Sequence, residues 1–403
     1  MEQKEKAIQG SSNSVLHEMG TLLKENIRNY AMYIALALIF AFFYATTDGA
    51  FLSARNITNL INQTGYVAVM AVGMTIVLIL VQIDLSIGYA AGFFGAVAAL
   101  LLMREMPVGL VIILVLAGGI LFGLVQGLIV GEVGVPAFVT TLAMQFIFRG
   151  LLSLITEATG TVPVSNAVFN ELSNGFVFEL FSVGGRHGSS LIIGILAIAC
   201  IVVSQLRERR DLIKYGFHVV SGPIFIFKLL FFGGIVGVLT YVLSGYNGIS
   251  WTIVIVSLVT CIYHFMLSKT KLGRYIYGTG GNKEAAVLAG VNVKRIFIFA
   301  FASMGMMAAL GGILYTSRLQ SAAPTAGAGF ELDAIASCYI GGVSVSGGVG
   351  KVSNSIIGAF VIMSLTNGLN LMGVGISYQY IIKGLIFVIA VAFDVYSQGK
   401  KTV

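Results

Sequence analysis

The chain has 403 residues, 57% of them hydrophobic and only 10% charged, with a formal net charge of +7. A soluble domain carries about 25% charged residues, and no soluble fold could hide this much apolar surface, so a water-soluble enzyme or binding module is excluded. In a bilayer every backbone polar group must be satisfied within the chain, which leaves helices or a closed barrel as spanning forms.

The apolar runs choose between the two. They pass well beyond the roughly 9 to 11 residues of a barrel strand, and several approach the roughly 20 that a helix needs. The expected fold is all-α, a polytopic transmembrane helical bundle of about 10 to 12 spans. Residues 1–29 are polar and charged and read as a cytoplasmic tail. The first apolar run is followed by Thr46, Thr47 and Asp48 rather than a small-residue cleavage site, so it stays as a helix. Spans are predicted at 30–46, 57–82, 86–103, 107–131 and 137–156. After a polar stretch from Glu157 to Ser189 come 190–204, 224–243, 250–267, 294–317, 333–345, 353–372 and 378–396. The membrane domain thus covers 30–396, with an inserted segment at 206–246, a cytoplasmic loop at 268–295 and a short tail at 397–403. The 50 glycines sit inside apolar runs, where small residues let helix backbones approach closely.

Lys and Arg in the loops set the orientation, because cytoplasmic loops carry their excess. With the N-terminus inside, 17 cations fall on the inner side, including Lys4, Lys6, Lys24 and Arg28, the loop Arg207 to Lys214, Lys269 to Arg295, and Lys400 and Lys401. Five fall outside: Arg55, Arg104, Arg149, Arg186 and Arg318. Both termini are therefore expected in the cytoplasm. The positive charge follows from topology and needs no nucleic acid.

The largest inner-side polar interruption, Ser268 to Arg295, has Glu284 to Ala289 as good helix material and Gly290 as its left-handed stop. A short helix bracketed by glycines on the inner face suits a lever that another protein pushes; an ordinary cytoplasmic loop is the plain alternative. The pattern Glu284-Ala285-Ala286 followed four residues on by Gly290 resembles the coupling-helix motif of bacterial ABC importer permeases. Gly273-Arg274-Tyr275-Ile276-Tyr277 and Gly280-Gly281-Asn282 are similar to the monosaccharide branch, the ribose, xylose and galactose permeases. So are Thr47 to Ser53, Ile83 to Gly88, Glu331 to Ala336, Ser346 to Gly350, Asn367-Gly368 and Gln379 to Gly384. The likeness runs from about residue 30 to the C-terminus. It departs at Gln126, where members often carry Asn, and at the inserted segment, which resembles the longer xylose and multiple-sugar form.

The resemblance implies an importer's transport subunit in the bacterial inner membrane. Its partners would be a second permease copy, two copies or one fused pair of an ATPase that uses ATP and Mg, and a soluble or lipid-anchored sugar-binding protein, with membrane lipid around it. Arg274, Gly281, Asn282, Lys283, Glu284, Ala285, Ala286 and Gly290 would form the ATPase-coupling segment, and Glu331 and Asp333 would dock the binding protein. No cofactor is expected on this chain. Ser346 to Lys351 mimics a Walker loop, but Val345 and Val352 stand where Gly and Ser or Thr are needed, so the glycine run is assigned to a tight turn at a helix end. His17, His187, His218 and His264 lack metal spacing, and Cys200, Cys261 and Cys338 read as buried small apolar residues.

Polar groups at membrane depth are the remaining signal, since an ionisable group in hydrocarbon costs roughly 2.5 to 3.5 kcal/mol on insertion scales. Asp84, with Gln82 and Ser86, either caps a break between helices or lines the substrate path. Gln126, Thr140, Thr141, Asn367, Asn370 and Gln379 either bond between helices or offer weak contacts to sugar hydroxyls. Lys383 is expected to reach the inner interface. Two rivals stay open: a branched-chain amino-acid or autoinducer ABC permease, and an ion-coupled secondary transporter with Asp84 as the coupling carboxylate.

Overall fold

The computed structural model describes residues 27–157, 160–217 and 219–399. Lys4, Lys6, Lys24, His17, His218, Lys400 and Lys401 lie outside the described residues, as does most of both expected tails. The molecule is all-α, as the sequence predicts. Its helices are α1 (Ile27–Thr46), α2 (Ala54–Ile79), α3 (Ile87–Met103), α4 (Val108–Leu128), α5 (Ala137–Thr156), α6 (Ala167–Asn174), α7 (Gly188–Lys214) and α8 (Gly222–Ser244). They continue with α9 (Trp251–Lys269), α10 (Lys271–Gly281), α11 (Lys283–Leu288), α12 (Val293–Leu319), α13 (Phe330–Ile340), α14 (Val352–Leu371) and α15 (Ile376–Gly399). Among the described residues eight helices are long and apolar enough to cross a membrane, namely α2, α4, α5, α7, α8, α9, α12 and α14. Shorter apolar stretches lie at Met32–Thr46, Ile87–Met103 and Ile376–Ile389.

One expected span is corrected. Residues 333–345 do not cross: α13 has 11 residues, about 16 Å of helix against a hydrocarbon core of about 30 Å. It ends at Gly341 and Gly342, the latter left-handed at φ 82°. The basic run Arg207 to Lys214, read as a loop, is instead the last turns of the 27-residue α7. The polar stretch 157–189 holds structure of its own. In it α6 starts at Asn166, whose side chain accepts from Phe169 N at 3.0 Å, and β1 (Val162–Pro163) pairs antiparallel with β4 (Ser321–Ala322).

Two compact units emerge. Phe176–Ile249 belongs to one, with the hairpin β2 (Ser182–Val183) and β3 (Arg186–His187) leading into α7 and α8. Gly184 and Gly185 both take positive φ, as a tight two-residue hairpin turn needs. Gly194 meets Thr240 where α7 packs on α8. Met32–Gly175 with Ser250–Val403 forms the other.

At the centre of this second unit stand α2 and α12, buried for most of their length, α2 being apolar on every side from Tyr66 onward, as a helix walled in by other helices must be. Ser53 caps α2 by accepting from Asn56 N at 3.3 Å, and Asn292 caps α12 by accepting from Arg295 N at 3.1 Å. The closest packing is α4 on α12, through glycines at four-residue spacing. A Cβ at Gly119 would stand 2.5 Å from Gly305 O, at Gly123 it would collide with Phe301 O, and at Gly127 it would lie 2.6 Å from Ile298 Cα. This small-residue stripe brings two backbones into contact, the arrangement that stabilises helix pairs where no hydrophobic effect acts between them. Gly312 and Ala91 repeat the pattern between α12 and α3.

Candidate functional site: a buried break and the coupling end

The C-terminus of α2 closes with two crossed backbone bonds, Gln82 N to Val77 O (3.0 Å) and Val81 N to Leu78 O (2.9 Å). This is the glycine-type helix stop, but Val81 occupies the left-handed position, at φ 59°. For a β-branched residue that is a strained conformation. The chain then turns through an unwound segment before α3. Asp84 is fully buried there. Its Oδ1 accepts from Ser86 N (2.9 Å) and Ser86 Oγ (2.5 Å), and Gln126 Nε2 on α4 donates to Ser86 Oγ at 2.8 Å. Asp84 therefore fixes the turn that leads into α3. Thr141 Oγ on α5 donates to Ile83 O at 3.3 Å, fastening the same segment from the other side, while Gln82 donates to Leu80 O and Thr140 to Pro136 O.

Glu331 lies in the same neighbourhood, with its Oε2 at the spot a Cβ on Gly88 would fill. It is 6% exposed and accepts from Gln145 Nε2 at 3.2 Å. Asp333 pairs with Lys383 at 2.9 and 3.1 Å, tying α13 to α15. Glu331 is buried and Asp333 half-buried, while Leu332 between them is exposed. Lys383 does not reach out to an interface. Gln145 escaped the sequence reading, although a lone amide in the apolar run 137–156 was the available signal.

The remaining amides act between helices. Asn56 and Asn367 exchange bonds at 2.8 and 3.2 Å, and Gln379 Nε2 donates to Asn370 Oδ1 at 2.7 Å. So Gln82, Asp84, Ser86, Gln126, Thr140, Thr141, Asn367, Asn370 and Gln379 all have side-chain bonds within the chain. Asp84 Oδ2, Gln126 Oε1 and Glu331 Oε2 keep no partner among the described residues.

The coupling segment is two helices where one was expected. Thr270 caps α10, accepting from Gly273 N at 3.3 Å. Asn282 ends α10 and caps α11, accepting from Ala285 N at 2.8 Å. Gly290, at φ 80°, stops α11 as predicted. Arg274, Gly281, Asn282, Lys283, Glu284 and Ala285 are exposed, whereas Ala286 is buried. Val287 and Leu288 project apolar side chains, Leu288 with 89% of its surface free.

Behind this exposed face three segments meet. A Cβ on Gly280 would collide with Ile79 O, and one on Gly347 would collide with Val81 Cγ2. Gly348 N donates to Ile79 O at 2.9 Å. Tyr277 Oη donates to Gly350 O at 2.7 Å, and burial raises the Tyr277 phenol above its ordinary pKa, keeping it a neutral donor. The glycine run Ser346 to Lys351, which mimics a Walker loop in sequence, is thus a turn that carries the end of α10 onto the strained end of α2.

A multi-pass helical bundle whose exposed helix pair packs on a buried helix break fits a membrane transport subunit. The chain belongs to the family described as the branched-chain amino acid transport system permease component, which matches residues 56–391. It is 37% identical over 383 residues to the xylose transport system permease protein XylH of Haemophilus influenzae, covering 95% of this chain and 100% of that one. XylH of Escherichia coli is 38% identical, covering 92% of each. The ribose import permease protein RbsC of Haemophilus influenzae is 35% identical, covering 95% of this chain and 97% of its own length. No solved structure matches the chain.

Proposed function

We propose that the chain is the membrane-spanning permease of an ATP-driven importer that carries a monosaccharide such as xylose, galactose or arabinose into the bacterial cytoplasm. Full-length similarity to xylose and ribose permeases supports this reading most directly. A second copy completes the permease, two copies or a fused pair of a cytoplasmic ATPase supply the energy from ATP and Mg, and a soluble or lipid-anchored binding protein delivers the sugar. The face of α10 and α11 is cytoplasmic, and with it both termini, because the basic loops gather on that side. Leu288 and Val287 are the apolar knob that enters the ATPase, with Glu284 and Lys283 at its rim. Asp84, Ser86 and Gln126 hold the break between α2 and α3, through which a push on α10 reaches the bundle.

Uptake into proteoliposomes containing the chain, its ATPase and its binding protein tests the assignment. Sugar accumulates only with internal ATP, and Leu288→Asp with Glu284→Lys loses both ATPase co-purification and uptake. Accumulation of leucine in place of sugars would favour the amino-acid reading that the family's description suggests. Uptake by the chain alone down an ion gradient would overturn both.

A further inference from the structure

The polar side chains that sequence singled out are bonded inside the chain, and the open oxygens of Asp84, Gln126 and Glu331 are buried, so a hydrophilic solute needs another surface. The structure holds a half-open groove of about 310 Å³ between α2, α9 and α14, at the lower end of the roughly 300–1,000 Å³ of small-molecule sites. Thr64, Thr252, Ser257, Thr260 and Ser353 bring five hydroxyls to its wall, and Phe360 adds an aromatic one. Thr64 and Thr260 give their protons to Leu60 O and Val256 O, at 2.7 and 2.5 Å. Their oxygens remain free to accept weak bonds from a passing hydroxyl.

A second observation concerns the surface of α9 itself. Its exposed side divides in two. Leu258, Ile262 and Phe265 are 61%, 54% and 62% exposed and form an apolar strip suited to lipid. Ser257, Cys261, His264 and Ser268 are also exposed, and with Thr260 they fall within a sector of roughly 100° around the helix. This polar strip lies between the apolar strip and the buried side that carries Thr252, Tyr263 and Leu267. An ionisable group such as His264 in a spanning helix faces the bundle interior, a cavity or an interface rather than hydrocarbon, and the hydroxyls of Ser257 and Thr260 share its side of α9. Ser257, Thr260 and Cys261 belong to the strip and to the groove alike, so the two are one continuous surface.

We propose that this strip and groove form the wet wall along which a small polyhydroxylated ligand, a monosaccharide, passes. The proposal rests on the importer reading and deepens it by placing the passage. Hydroxyls without charges suit a conduit that must release what it receives, and Phe360, Ile61 and Val256 offer apolar surface to the C–H face of a sugar ring. The wall is also wired to the energy source. Helix α9 continues through Thr270 into α10, and the Tyr263–Ser303 hydroxyl pair at 2.6 Å pins its far side to α12. A displacement of the coupling pair therefore moves the polar strip against a fixed support.

Cys261 is a reporter already in place. Among the three cysteines Cys338 is buried and Cys200, on α7, is exposed, so a Cys200→Ser chain leaves one accessible thiol. The experiment uses the fully assembled transporter in vesicles, a charged membrane-impermeant thiosulfonate, a lipophilic maleimide, and D-xylose, D-ribose and L-arabinose as probes, with ATP-driven uptake measured on the same preparation. Cys200→Ser imports as the unaltered chain does. The charged reagent is expected to label Cys261 and block import, and the transported sugar to slow labelling roughly threefold at twice its Kd, as simple occupancy requires. A Cys261→Ser, Cys200→Ser chain shows no such labelling.

Import that persists while Cys261 reacts only with the lipophilic reagent would make this a lipid face and overturn the passage, leaving the importer reading intact. Labelling by neither reagent in the assembly but by both in the dissociated chain would make it a seam between copies and overturn it equally. Labelling by the charged reagent with no import of, or protection by, any of these sugars would overturn the importer reading and the ligand class with it.

Discussion

Two regions of the molecule rely on glycine for backbone contact, and they use it in opposite ways. Along α4 the glycines recur every four residues against α12, inside two continuous helices that each satisfy their own backbone hydrogen bonds. Contact there adds dispersion over several turns and asks nothing of the hydrogen-bond network. At the coupling end the contacts join the ends of α2 and α10 to a turn. Those segments are held by Gly348 N on Ile79 O and by Tyr277 Oη on Gly350 O, beside a valine in a left-handed conformation. The first region is a fixed seam; the second is a clasp whose few bonds can be exchanged at modest cost. A transporter needs both, because a push is transmitted only if one part yields while another does not.

The seam gives the largest expected effect. Gly123→Leu sets a branched side chain against Phe301 O and Ala302 Cα on α12, and the helices must separate along several turns. Overpacking costs about 1–3 kcal/mol where a core can shift and more where backbone blocks it. The expected result is loss of monodisperse protein on size exclusion, with no folded transporter left to assay. Gly280→Ala is the counterpart at the clasp, adding one methyl against Ile79 O. Here the neighbours are a helix end and a turn, so the protein still inserts and still binds its ATPase, while ATP-driven uptake falls about tenfold, or about 1.4 kcal/mol in the driven step. Equal damage from the two substitutions, read as yield and as uptake, would erase the distinction. Tyr277→Phe is milder, removing one hydrogen bond worth about 0.5–1.5 kcal/mol. It is expected to lower the melting temperature slightly while making ATP hydrolysis less dependent on sugar, as a loosened clasp would.

How much of this was legible in the sequence follows from range. Helix class, the left-handed stop at Gly290 and the assignment of Ser346 to Lys351 to a turn at a helix end depend on neighbours a few residues apart, and all read correctly. The polar residues were found as anomalies in apolar runs, but their partners were not, because Asn56 and Asn367 are 311 positions apart and nothing local distinguishes an amide bonded to another helix from one facing water. Glu331 and Asp333 looked like a helix start on an outer surface, and the start is real. Their burial depends on Gly88, Gln145 and Lys383, which sequence cannot bring together. α13 failed as a span because its apolar residues continue past Ile340 into a turn, and composition does not register where hydrogen bonding stops. The strip on α9 was visible in principle at helical spacing, yet serine, threonine, cysteine and one histidine barely dent an apolar run.

Val81 offers the smallest stability effect and the finest test of the comparison. Its left-handed conformation costs about 1–2 kcal/mol for a residue with a Cβ, and glycine would remove that cost while giving back about 0.5–1 kcal/mol in chain entropy. Val81→Gly is thus expected to stabilise the folded chain by up to about 1 kcal/mol, a small rise in melting temperature. Glycine also removes the Cγ2 atom that fills the space beside Gly347 where a Cβ would stand, so the clasp gains freedom as the end of α2 loses strain. If strain at Val81 primes the break to move, the more stable variant transports more slowly, and stability and uptake shift in opposite directions. If Val81 is only a poor choice for a helix stop, both hold or rise together. Melting temperature and initial uptake rate measured on one preparation separate the two, and the second result would reduce the clasp to ordinary packing.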